Sequence, residues 1–237
     1  MNRMKFLTFA ILVIVANVFA ESGAKGWSEI IKVRIGPDSN ACGIVLPKPL
    51  KSLPLIVWLH GGMRSQNETK GWEAQSAILP FLKPGSYFVC SPSGYAGADW
   101  LTPEGMAHID ALIDYMEHHY PIRKDKLIFV AVSDGCLGAI RYASEGKRNP
   151  LKYVLFSSCP PLAVDPGAIL SQPVYTKTRW DIFQGGRDRL FPSDQIFPLL
   201  QEWARVNPRV KLHLYPEGEH DFSWYKENAG LEIRKLF

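Results

Sequence analysis

Short apolar runs alternate with amphipathic stretches from residue 30 to the end of the chain. The runs at 30–35 (IIKVRI), 43–46 (GIVL), 54–59 (PLIVWL), 87–90 (YFVC), 126–132 (KLIFVAV), 153–158 (YVLFSS), 179–184 (RWDIFQ) and 210–215 (VKLHLY) predict strands. Several are near-continuous in Val, Ile, Leu and Phe, the pattern of parallel strands buried on both faces. Helices are predicted between them at 103–119, 134–145, about 194–206 and about 222–236. In the first, Thr102 can cap the N-terminus and Pro103 suits the first helical position. Met106, Ile109, Ile113, Met116 and Tyr120 then form one apolar face, leaving Asp110, Asp114 and Glu117 to the other. Pro198 is placed to shorten or kink the third helix. The alternation predicts an α/β domain with a mostly parallel sheet of about eight strands, right-handed crossovers and helices on both faces.

Residues 1–20 break this pattern. A basic start (MNRMK) precedes an apolar run at 6–20, and Val18 and Ala20 stand at the −3 and −1 positions of a cleavage site after Ala20. This is the form of a secretory signal peptide, which makes 21–237 a single mature domain in a secreted or periplasmic location. The alternative is an uncleaved anchor, for which the run is short against the ~20 residues of a spanning helix. No cysteine follows the run until Cys42, which disfavours a lipoprotein.

Composition narrows the function classes. Of 237 residues, 46% are hydrophobic and 21% charged, which excludes a disordered chain or a disulfide-dense mini-scaffold. The formal net charge is +4, and no Lys/Arg cluster is expected that would track a phosphate backbone or an anionic membrane surface. The chain is expected to bind no nucleic acid, to have no stable membrane insertion after cleavage, and to act as a monomer. Cys42, Cys90, Cys136 and Cys159 form no C-x-x-C pair. They are compatible with one or two disulfides or with buried thiols.

Ligands of parallel sheets bind beyond the carboxyl ends of the strands. Three of those ends carry chemistry. After 126–132 comes Ala131-Val132-Ser133-Asp134-Gly135, a near-match to the G-x-S-x-G elbow, in which small flanking residues let a sharp strand-to-helix turn expose a serine. The Asp134 amide then opens a helix and is placed to donate to an oxyanion. After 179–184 comes Gln184-Gly185-Gly186-Arg187-Asp188, and after 210–215 comes Gly218-Glu219-His220. Alone, Asp188 and His220 read as a turn acid and a surface histidine. The order Ser…Asp…His, each after its own strand, predicts that Ser133, Asp188 and His220 act together. Upstream, Leu59-His60-Gly61-Gly62 is a buried strand ending in glycines, with Gly62 the first and Met63 the second candidate for another oxyanion-hole amide. His60 is expected to brace this loop.

These motifs, with Ile109-Asp110-Ala111-Leu112-Ile113-Asp114-Tyr115 through Tyr120-Pro121-Ile122 and Gly186-Arg187-Asp188 to Pro192, resemble the α/β-hydrolase superfamily across nearly all of 30–237. Within it the pattern is similar to small serine esterases of the phospholipase/carboxylesterase, feruloyl esterase and polyhydroxyalkanoate-depolymerase-like branch. Ala131 departs from the usual first glycine of the elbow. Cys136 stands where many relatives have glycine, and could pack or bridge to Cys90 or Cys159. Some members use a cysteine nucleophile, but here the apex is Ser133. The resemblance implies hydrolysis of a small-molecule or polymer-borne ester through an acyl-enzyme, with no metal or organic cofactor. The rivals are a prolyl-oligopeptidase-like peptidase and a secreted, non-catalytic binding protein on the same scaffold. The connections 63–86 and 159–178 are the expected pocket-shaping segments. Trp72, Tyr95, Trp100 and Trp224 could line the pocket or pack.

Overall fold

A computed structural model describes residues 16–17, 27–35, 40–62, 67–94 and 99–237. The strands are β1 (Ala16–Asn17), β2 (Trp27–Ile35), β3 (Asn40–Pro47), β4 (Leu53–Leu59), β5 (Phe88–Ser91), β6 (Ile122–Val132), β7 (Lys152–Phe156), β8 (Arg179–Gly185) and β9 (Val210–Tyr215). They form one sheet in the order β1-β2-β3-β5-β4-β6-β7-β8-β9. The β1–β2, β2–β3 and β3–β5 pairs are antiparallel, and every pair from β5 to β9 is parallel. Each expected strand is present, and the two-residue β1 is added at the edge. Apart from Ala16 and Asn17, the expected leader lies outside the described residues.

Side chains alternate across a strand, so each central strand feeds two cores. Leu55, Val57 and Leu59 of β4 join Leu127, Phe129 and Ala131 of β6 on one face. Ile56 and Trp58 join Ile128, Val130 and Val132 on the other. Helix α1 (Lys70–Ala74) follows the loop after β4, and the first face is covered by α2 (Pro103–His119), α3 (Asp134–Glu145), α4 (Pro166–Ser171), α5 (Pro173–Thr176) and α6 (Ser193–Val206). The second is covered by the 79–81 turn and two C-terminal helices, Phe222–Asn228 and Gly230–Arg234. Both faces are thus buried, which is why these strands lack a polar alternation.

The Thr102 hydroxyl accepts from the Gly105 amide, as its place before Pro103 predicts, and the apolar face of α2 is buried. Asp110 departs from expectation. It is only 4% exposed, because Tyr142 of α3 reaches it and donates at 2.6 Å, joined by the Lys147 amide at 3.3 Å. The α6 helix runs through Pro198. The expected helix at 222–236 is broken at Ala229, beside Gly230, a poor helix former. Strand β7 stops at Phe156, because Ser157 enters the left-handed region at φ 53°.

Two histidines are buried within this fold. His108 of α2 packs against Cys42, with Nε2 3.2 Å from Sγ, and His60 follows β4. Burial pushes each down from 6.5 to about 4. The unfolded chain therefore takes up protons first as pH falls. Stability is expected to drop from about pH 6.5 and to level off near pH 4, by at most ~3 kcal/mol per histidine. Urea unfolding across that window should show a smaller loss for His108→Leu than for the wild type. An unchanged loss would contradict the assignment to this residue.

Candidate active site

The chain turns sharply at the end of β6. Ser133 has φ 53° and ψ −124°, a conformation costly for a residue with a Cβ. Its amide donates to the Phe156 carbonyl of β7 at 2.9 Å, and its carbonyl accepts from the Cys136 amide. The small neighbours are required by space. A Cβ on Gly135 would lie 2.2 Å from the Leu59 carbonyl oxygen, and one on Gly138 would lie 2.8 Å from the Trp100 Cβ. The turn pushes the Ser133 hydroxyl out beyond the strand ends.

The β8–α6 and β9 connections bring the other two residues to it. His220 Nε2 is 2.7 Å from Ser133 Oγ, and its Nδ1 is 2.9 and 2.8 Å from Asp188 Oδ1 and Oδ2. Asp188 is buried, and its Oδ1 also accepts from the amides of Leu190 at 3.0 Å and Phe191 at 2.8 Å. Burial opposes the carboxylate charge, but the His220 and backbone hydrogen bonds outweigh it and hold Asp188 below its usual range. The two loops interlock at glycines. A Cβ on Gly185 would lie 2.4 Å from the Gly218 carbonyl oxygen, and one on Gly186 would lie 2.5 Å from that of Pro216.

On the other side of Ser133 lies the loop after β4. A Cβ on Gly61 would be 3.0 Å from the Ser133 Cβ, so a side chain there would press Ser133 out of place by a few tenths of an ångström. Gly62 has φ +71°, and its carbonyl accepts from Lys70 Nζ at 2.8 Å. His60 braces the loop. Its Nε2 accepts from the Gly94 amide at 3.1 Å, which leaves Nδ1 to donate to the Gly61 carbonyl at 2.9 Å. Trp100 Nε1 donates to the His60 carbonyl. Gly62 and Asp134, the first residue of α3, both line the cleft that holds Ser133. Met63 lies outside the described residues.

The cleft has a volume of about 530 Å³. Leu190 and Phe191 beyond Asp188, and Phe222 beyond His220, give it apolar walls, and Lys70 closes it beside Gly62. Lys70 belongs to the expected 63–86 connection, but 159–178 contributes nothing to the lining. Trp100 packs in the core, while Trp72 and Trp224 also lie away from the cleft. Tyr95 lies outside the described residues. The four cysteines are free thiols, and Cys136 Sγ donates to the Phe156 carbonyl rather than bridging to Cys90 or Cys159.

Several supporting side chains carry no sequence signature. Ser157, strained at the end of β7, donates to the His220 carbonyl at 2.8 Å and meets Tyr225 OH at 3.1 Å. Gln184 Oε1 accepts from the Ser158 amide at 2.9 Å, which turns its Nε2 toward Asp188 Oδ2 at 3.3 Å. The only sequence hint was the Ser157-Ser158 pair at the end of an apolar strand.

No family model and no curated protein sequence matches the chain. Solved structures do. The serine hydrolase FphF of Staphylococcus aureus, which binds fluorophosphonates, superposes with a TM-score of 0.68 at 16% identity, over 90% of this chain and 99% of that one. The S-formylglutathione hydrolase FrmB of the same organism gives 0.61 at 16% identity, over 96% and 97%. The esterase Pf2001 of Pyrococcus furiosus gives 0.62 at 17% identity, over 95% and 97%. With the strand order above, these likenesses show the α/β-hydrolase fold.

Proposed function

We propose that the chain is a serine hydrolase of carboxylic esters, working through Ser133, His220 and Asp188 and an acyl-enzyme. One observation carries this reading: His220 reaches the strained, outward Ser133 hydroxyl with one ring nitrogen and both oxygens of a buried, ionised Asp188 with the other. His220 accepts the Ser133 proton as Oγ attacks the ester carbonyl. The oxygen turns anionic between the amides of Gly62 and Asp134, with Met63 the further candidate. Each such donor contributes ~3–4 kcal/mol in related chemistry. Asp188 keeps Nδ1 protonated and balances the imidazolium. His220 then protonates the leaving alcohol; water attacks the acyl-enzyme with His220 as base, the acyl–Oγ bond breaks, and His220 returns the proton to Ser133 as the acid leaves. These steps use only side chains, backbone amides and water.

The cleft's size and apolar walls suit small or medium acyl groups. A panel of p-nitrophenyl esters of graded chain length should show turnover that peaks at short chains. Turnover of peptide anilides without ester turnover would favour a peptidase. No turnover of any ester, amide or lactone by the folded protein would favour a binding protein.

Lys70 is assigned a positioning role, because its ammonium holds the Gly62 carbonyl and so fixes the loop that supplies an oxyanion donor. Lys70→Ala should lower kcat by about 10- to 100-fold, the worth of a charged hydrogen bond. KM should change little, and Lys70→Arg should recover part of the loss. A rise in KM at unchanged kcat would place Lys70 in ground-state binding instead.

We also propose export with loss of residues 1–20. Mass spectrometry of the exported protein should find an N-terminus at or near Glu21. An intact Met1 on a membrane-bound product would establish the anchor.

A further inference from the structure

A second cavity, of about 870 Å³, opens at the opposite end of the sheet. It lies about 20 Å from Ser133, from the rise of β6 between Lys126 and Val132. Its charged lining is entirely cationic: Lys126, Lys152, Lys177, Arg179, Arg209 and Lys211. Among the described residues no Asp or Glu lines it, and the Thr178 hydroxyl adds a neutral polar group. Lys126 lies inside β6, Lys152 and Arg179 open β7 and β8, Lys211 is the second residue of β9, and Lys177 and Arg209 lie just before β8 and β9. Parallel pairing of β6 to β9 brings these residues together, a cluster that the sequence reading did not expect.

Among the described residues, most of these charges lack a strong counterion. Arg179 pairs with the buried Asp181 at 3.1 Å, and Lys126 stands 3.9 Å from the exposed Asp125. Arg209 donates to a neutral carbonyl, that of Lys177. Lys152 is the unusual member. It is 4% exposed, yet its ammonium meets only the Leu236 carbonyl and the Phe237 ring. A buried ammonium is costly unless paired. Burial, and then the nearby Arg179, push Lys152 from 10.5 down to about 8, only partly opposed by the Asp181 carboxylate. Such an arrangement favours an anion that neutralises several cations at once.

We propose that this cavity is a binding site for a small, multiply charged oxyanion of the phosphate class, with pyrophosphate as its simplest form. A concave site of this volume suits a small ligand rather than a long polyanion. Tetrahedral phosphates accept from several directions, matching cations carried on several different strands, whereas a planar carboxylate satisfies one fork. The site is independent of the ester chemistry at the other end of the sheet.

Isothermal titration of the folded protein with pyrophosphate at low salt tests the proposal. One saturable site is expected, weakening as salt rises. The exposed pair Arg209→Ala/Lys211→Ala should weaken it by about tenfold or more, while turnover of p-nitrophenyl esters and the melting temperature stay as in the wild type. Lys152→Met should weaken it as well. Absence of saturable binding, or equal binding by the double variant, would overturn the site. Tighter binding of citrate than of pyrophosphate would overturn the phosphate assignment, and single-stranded DNA binding more tightly than pyrophosphate would overturn the small-ligand assignment.

Discussion

Ser133→Ala should lower kcat/KM for p-nitrophenyl butyrate by about 10⁴-fold or more, the scale of losing a nucleophile whose partners act as a unit. The melting temperature should stay near the wild-type value. Alanine keeps the Cβ and therefore the same strained φ of 53°, and removes only the hydroxyl that meets His220. The elbow itself is held by other contacts: the Ser133 amide on Phe156 and the close passage of Gly135 under Leu59. Retained turnover in a folded variant would mean another nucleophile. The cysteines are poor candidates: Cys136 is buried and its thiol is pushed well up by burial, and Cys42 is pushed up to about 12.

Asp188→Asn should cost about as much, on the order of 10⁴-fold in kcat, without loss of the fold. The surrounding donors explain why an isosteric change is so damaging. Oδ1 of residue 188 accepts from the Leu190 and Phe191 amides, so the asparagine carbonyl must take that place. Its NH₂ then faces His220 Nδ1, and also Gln184 Nε2, whose orientation is set by the Ser158 amide. His220 can accept that NH₂ only with Nδ1 unprotonated. The proton moves to Nε2, where it points at Ser133 and cannot receive another. The pH–rate profile and kcat should both change, with KM little affected. A variant with wild-type kcat would show that Asp188 does not set the tautomer of His220.

The extent to which the chain could be read in advance follows from the range of the forces involved. The parallel strands were legible because burial on both faces leaves continuous apolar runs. Helix α2 was legible to its ends because Thr102 and Pro103 act on their own first turn. Ser133, Asp188 and His220 were legible as a set through their order after successive strands, although 87 residues separate the first from the last. What failed depends on neighbours from elsewhere in the chain. Asp110 looked like a solvent-facing acid because nothing local reveals that Tyr142 covers it. Ser157 and Gln184 carry no motif, and their roles arise only where β7 and β8 lie side by side. The six cations of the second cavity are dispersed between Lys126 and Lys211, so only parallel pairing makes them one surface.

The most direct measurement of the central claim is covalent labelling of the native protein with an alkyl fluorophosphonate, read by intact mass and then by peptide mapping. If Ser133 is the nucleophile activated by His220, one phosphonyl group should add per chain and map to Ser133, with inactivation in proportion. The same treatment should leave folded His220→Ala almost unlabelled. Stoichiometric labelling at another residue, or a wild-type chain that turns over esters and takes no label at Ser133, would contradict the assignment.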